Sequence, residues 1–71
     1  AVSGDGLTVY VSDPDRHRVA VLKVADGSVS YFGGTGSAEG LFLGMSGIGV
    51  GPDGLLYVLD RRNSRVQVFR P

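Results

Sequence analysis

Apolar and polar residues alternate along most of this chain in short runs. Val19, Val21 and Lys23 fall on one side of an extended segment, and Val66 and Val68 repeat that spacing against Gln67. A period of two is that of a strand, in which successive side chains point to opposite faces. Runs rich in Val, Leu, Tyr and Phe cover residues 7–12, 18–24, 28–32, 46–51, 55–60 and 65–70, each bounded by Gly, Pro, Asp or Ser, as strands between turns are. Helical periodicity is nearly absent, and twelve glycines, which weaken helix interiors, are scattered along the chain. The pattern predicts an all-β chain of short antiparallel strands.

The turns carry their own chemistry. Asp5-Gly6, Asp26-Gly27 and Asp53-Gly54 each stand between two predicted strands. In such pairs the Asp carboxylate bonds nearby backbone and the Gly accepts positive φ. Two of these turns open matching stretches: "DGLTVYVSD" (5–13) aligns with "DGLLYVLD" (53–60) after one extra residue at Thr8. Downstream, Asp13 and Arg18 stand at the same offset from Asp60 and Arg65, each pair enclosing four residues, "PDRH" (14–17) and "RRNS" (61–64). The chain is therefore a tandem repeat with a period between ~40 and ~50 residues, built of short strands, which points to blades of a β-propeller.

Three motifs, "FGGTGSAEGLF" (32–42), "SGIGVGPDGLLYVLD" (46–60) and "RVQVF" (65–69), resemble the NHL repeat, and the resemblance runs the length of the chain in two partial copies. It implies a propeller, usually of six blades. Met45 stands where the family often has proline before the innermost strand, and Arg61-Arg62 stand in place of a small pair before Asn63. On this reading residues 1–36 form a partial first blade, and residues 37–71 form a second that lacks its outermost strand. The opening "AVSGDG" (1–6) reads as the end of an inner strand, so a fragment is expected. The glycines of the innermost strand, Gly47, Gly49 and Gly51, are expected where backbones crowd round the axis. A propeller needs roughly four blades to close, so the expected partners are further blades of the same chain or self-association.

Length and charge narrow the function classes. A chain of 71 residues buries a limited share of its surface alone, and without cysteine, and with His17 as its one histidine, it has no disulfide and little metal chemistry to add. Seven basic and seven acidic side chains cancel, unlike the basic field of a dedicated nucleic-acid binder. No apolar run approaches a membrane span, and no targeting segment is recognisable. A soluble chain is expected, in a compartment the residues do not fix.

Antiparallel order sorts the loops onto two ends. One end receives the acidic turns at Asp5, Asp26 and Asp53. The other receives 14–17, 61–64 and the long connection 33–45, gathering Arg16, His17, Arg61 and Arg62 against Asp15 and Glu39, and is the candidate binding face. "GGTGSAEG" (33–40) lacks both the Lys-Ser/Thr ending and the following helix of a phosphate cradle. Asp13, Asp15 and His17 alternate oxygen and nitrogen donors, but Asp-x-Asp in a turn is commonly turn chemistry. His17 is read as an exposed loop residue, with no serine marked as activated beside it. Asp13 with Arg18 and Asp60 with Arg65 are assigned to holding their hairpins, because a unique active site is not expected twice.

No catalytic residue, metal or cofactor is therefore assigned. The expected function is a non-catalytic module recognising a protein, peptide or anionic ligand through one loop face. Nucleic acid is not expected to bind these residues strongly. The resemblance also admits RNA-binding members, and a propeller enzyme such as a peptidyl-amidating lyase, whose metal-binding histidines have no counterpart here.

Overall fold

The computed structural model describes residues 1–70. Six strands, β1 (Thr8–Asp13), β2 (Arg18–Lys23), β3 (Val29–Gly33), β4 (Met45–Val50), β5 (Leu56–Asp60) and β6 (Arg65–Phe69), form two antiparallel meanders, β1-β2-β3 and β4-β5-β6. Among the described residues there is no α-helix, and no helix is long and apolar enough to cross a membrane. Both hairpins with four-residue loops pass through a short 3-10 turn, Pro14–Arg16 and Arg61–Asn63. The fold is all-β, built of propeller-blade strands in which the hairpins β1–β2 and β5–β6 are the repeated part, followed by β3 in the first copy and preceded by β4 in the second.

β1, β3 and β5 start a residue later than their apolar runs imply, whereas β4 starts a residue earlier, and for β1 and β5 the turns explain why. The N–H groups of Leu7 and Leu55 donate to the Asp5 and Asp53 carboxylates at 3.0 Å, so these residues belong to the turns. Residues 1–3 lie along the edge of β1 away from β2: Tyr10 N–H donates to the Ala1 carbonyl at 2.7 Å, and Ser3 N–H to that of Thr8 at 2.9 Å. Each copy of the repeat thus has an inner line preceding its central hairpin.

The core lies between the two meanders. Register places Tyr10, Val21, Val19 and Phe32 on one face of the first, and Leu56, Val58 and Phe69 on the facing side of the second, all in one cluster with Met45 and Phe42. Phe32, Phe42 and Phe69 meet in tilted pairs, with centroids 4.9 to 6.3 Å apart, a favourable aromatic geometry. Burying such side chains is the main driving force for holding the sheets together.

The connection from β3 to β4 is part of that core. Phe42 N–H donates to the Gly34 carbonyl at 2.7 Å and Gly36 N–H returns to Phe42 at 3.0 Å, which turns the Phe42 ring inward to full burial. Within the chain itself the inner-strand glycines meet little backbone. A Cβ at Gly49 would meet nothing within 4 Å, one at Gly47 only the Leu59 Cβ at 3.8 Å, and the crowding at Gly51 comes from the Tyr57 and Asp53 side chains rather than from backbone.

Candidate partner-binding site

The β1–β2 and β5–β6 loops emerge at one end and share a geometry fixed by their length. In each, the residue before the second strand, His17 or Ser64, takes the left-handed conformation at φ 51° or 52°, and its N–H donates to the carbonyl three residues back, at 3.2 Å for His17 and 3.0 Å for Ser64. Left-handed backbone is uncommon outside glycine and reverses the chain here in a single step.

Beneath the second loop Asp60 is fully buried and wholly satisfied. Its Oδ1 accepts the Leu43 N–H at 2.7 Å; its Oδ2 accepts from Asn63 Nδ2 at 2.9 Å, Arg65 Nε at 3.0 Å and Gln67 Nε2 at 3.2 Å. Those donors in turn hold the connection: Arg65 reaches the carbonyls of Ala38 and Leu41, Gln67 that of Leu41, and Asn63 that of Gly36. Burial alone would raise the Asp60 pKa, but the Leu43 N–H, Asn63 and Arg65 together outweigh it and hold the carboxyl below its ordinary value. One ionised carboxylate thus pins the hairpin and the connection to each other.

The first loop is pinned more lightly. Asp13 accepts from Arg18 Nε at 3.2 Å and from Arg16 Nη1 at 3.4 Å, and its side chain is 26% exposed, where that of Asp60 is at 0%. The Arg18 guanidinium also lies 3.9 Å from the Tyr31 ring centroid. Arg16 is exposed.

His17 is half-buried rather than exposed. Its Nδ1 accepts the Gly44 N–H at 3.2 Å, a contact that assigns the proton of the neutral ring to Nε2. Gly44 in turn lies under Arg62: a Cβ there would come within 2.8 Å of the Arg62 Cγ, and Arg62 N–H donates to the Leu43 carbonyl at 3.0 Å. The connection therefore brings His17 and Arg62, from different hairpins, to either side of one glycine. Arg61 and Arg62 are exposed, and neither pairs with a carboxylate among the described residues. Guanidinium forks in this state match carboxylate or phosphate oxygens.

Among the described residues no serine hydroxyl hydrogen-bonds His17, and no three His, Asp or Glu side chains come together as metal ligands. At the opposite end, Asp5, Asp26 and Asp53 each accept the N–H two residues on, and Gly6, Gly27 and Gly54 each take positive φ. Hydrogen bonds from Ser3 to Asp5, from the Ser28 backbone to Asp26 and from Tyr57 to Asp53 lead in holding these carboxyls below their usual range. A cleft of about 710 Å³ between the sheets opens there, with Tyr10, Lys23 and Arg70 in its lining, so basic groups join an end that the turn residues alone make acidic.

Sequence reasoning singled out Asp60 and Arg65 but not Asn63, Gln67, Gly44 or Phe42. A visible signal for the first two was their spacing: Asn63, Arg65 and Gln67 follow Asp60 at odd intervals, so Arg65 and Gln67 share its sheet face. Phe42 and Gly44, in a glycine-rich connection, offered no such pattern.

Residues 42–69 match the model of the NHL repeat, the stretch that runs from the buried Phe42 through the hairpin pinned by Asp60. No curated protein matches the chain.

Proposed function

The chain carries an NHL repeat, the blade of a β-propeller-type binding or scaffold module, and on that footing we propose that it takes an acidic segment of a protein partner on the end formed by loops 14–17 and 61–64. Arg61 and Arg62 are the principal contacts; Arg16 and His17 extend the surface across the junction. The observation that carries this reading is that two exposed guanidinium groups without carboxylate partners sit on a loop whose base is rigidly pinned by Asp60. A fixed platform lowers the ordering entropy that a partner's carboxylates must overcome. Both hairpin bases being occupied by structural ion pairs leaves binding to the loop tips.

The test is an NMR titration of the chain with an Asp/Glu-rich peptide and with its Asn/Gln counterpart of the same length. The acidic peptide is expected to move the amide signals of residues 14–17, 44 and 61–64, to weaken as salt screens the charges, and to lose most of its effect when Arg61 and Arg62 are both changed to Ala. The neutral peptide is expected to do nothing. Signals that move instead around Asp5, Asp26 and Asp53, or an equal response to both peptides, would place the function elsewhere. Single-stranded RNA is the second probe: submicromolar binding at physiological salt, lost in the same double variant, overturns the protein-partner reading in favour of phosphate recognition.

A further inference from the structure

The repeat gives every position of one central hairpin a counterpart in the other, and the two differ in what covers them. Val19 is fully buried, whereas Val66, its counterpart, is 54% exposed. Tyr10 and Val21 belong to the core or pack against it, whereas Val68, the counterpart of Val21, is half bare. On the other side of each sheet the relation reverses. Leu56 and Val58 are buried and Phe69 packs on them, whereas Val11, the counterpart of Val58, is half exposed on β1. Register puts Val9, Val11, Ala20, Leu22, Val29 and Tyr31 together on that bare face, and Leu59, Tyr57, Val66 and Val68 together on the bare face of the second sheet.

The junction inside the chain is thus made by one kind of face from β1–β3 and a second kind from β4–β6. Each sheet keeps, uncovered, the kind of face that its neighbour used. Apolar sheet faces of this extent in water are a strong drive to association. We propose that the chain associates head to tail with further copies of itself, the bare face of β1–β3 in one copy packing on the bare face of β4–β6 in the next, as the two sheets already pack within one chain. The contact is heterologous, so each added copy covers one bare face of the series and presents one new one, and the series ends only where a ring closes. With two sheets per copy, the four to eight blades that propellers take correspond to about two to four copies. Unlike the junction within the chain, the intermolecular junction has no covalent connection holding its two sheets together, so it dissociates on dilution.

Because two different faces meet, each can be blocked alone. Val11→Glu places a charge on the first face and Val66→Glu on the second, both at exposed positions where the isolated fold has room for it; Tyr31→Lys and Leu59→Lys are the reserve pair should either Glu variant lose its β-sheet circular dichroism spectrum. Sedimentation velocity over a concentration series is expected to show the unaltered chain as a reversible oligomer, and each variant alone as weakened by at least about tenfold, since a charge would be buried without a partner. Mixed in equal amounts, Val11→Glu and Val66→Glu are expected to form a one-to-one dimer, each lending its intact face. A monomer at every concentration overturns the proposal. So does one variant that still assembles to the original size, which marks a symmetric or edge-to-edge contact, and so does a mixture that stays monomeric.

Discussion

Asp13 and Asp60 occupy the same place in the repeat, and their substitution by Asn separates what the motif does from what its surroundings add. In Asp60→Asn the amide can keep an oxygen toward Asn63, Arg65 and Gln67 only by turning its NH2 group onto the Leu43 N–H, which now donates to Oδ1 at 2.7 Å. The reverse orientation sets an NH2 group against three donors. The better choice still leaves one buried N–H unpaired, costing about 1–3 kcal/mol, and removes the charge that assists the Arg65 bond. The sum is about 2–4 kcal/mol, short of the 3–5 expected for removing one partner of a fully buried pair, because Arg65 retains some exposure. Asp13→Asn weakens two bonds of 3.2 and 3.4 Å in a partly hydrated pair, with a cost of no more than about 1 kcal/mol. For a chain of this size the Asp60 variant should melt lower by roughly 10–30 °C and the Asp13 variant by only a few. Thermal unfolding followed by circular dichroism, at one protein concentration because association shifts the midpoint, reads both. Equal losses would refute the argument, since they would mean that the shared Asp-Arg motif, rather than the buried network beneath the second loop, sets the stability.

Three further outcomes follow from the same contacts. Because the Asp60 pKa in the folded chain lies below the usual aspartate value of 3.8, its ionisation contributes stability above that value and the contribution is lost as pH falls through the folded pKa; acid titration of the melting temperature should therefore fall more gently in Asp60→Asn. Gly33→Ala should cost about 2–5 kcal/mol in urea unfolding, as the strained φ of +113° and a Cβ 2.8 Å from the buried Phe42 ring add together, and a loss under about 1 kcal/mol would show that the connection repacks freely. Phe42→Ala removes a fully buried ring at the meeting point of three aromatics and should cost about 3–5 kcal/mol, with chemical-shift changes at Phe32 and Phe69 as the local readout.

Strands, turns and repeat were legible because each is written locally. Alternation marks a sheet face within five residues, and an Asp-Gly pair sets a turn within four, so all six strands were anticipated to within a residue or two. What lay outside reach depends on how separated segments meet. Nothing local distinguishes Phe42, fully buried, from Leu41 beside it, which is not; the difference comes from the backbone bonds between residues 34–36 and 42. His17 reads as a solvent-facing loop residue until Gly44, far along the chain, donates to its ring. The pairing of Asp60 with Arg65 was readable from spacing, but its burial was not, because the Leu43 N–H arrives through the connection.

The contrast between Asp13 and Asp60 also bears on how one scaffold can present different surfaces. Both loops hold four residues, both end in a left-handed residue, and both stand on an Asp-Arg pair, yet they present "PDRH" and "RRNS". In the first loop the middle Arg16 folds back on Asp13, and its charge is partly answered within the hairpin. In the second, Asn63 takes the position beside the carboxylate, with its Nδ2 donating both to Asp60 and to the Gly36 carbonyl. An uncharged amide does there what a guanidinium does in the other copy, and Arg61 and Arg62 remain outside. The free positive charge of the second loop is thus a consequence of which side chain satisfies the carboxylate beneath it: Asn63 completes the network without consuming a cation, and the loop tip keeps both of its arginines for whatever meets it.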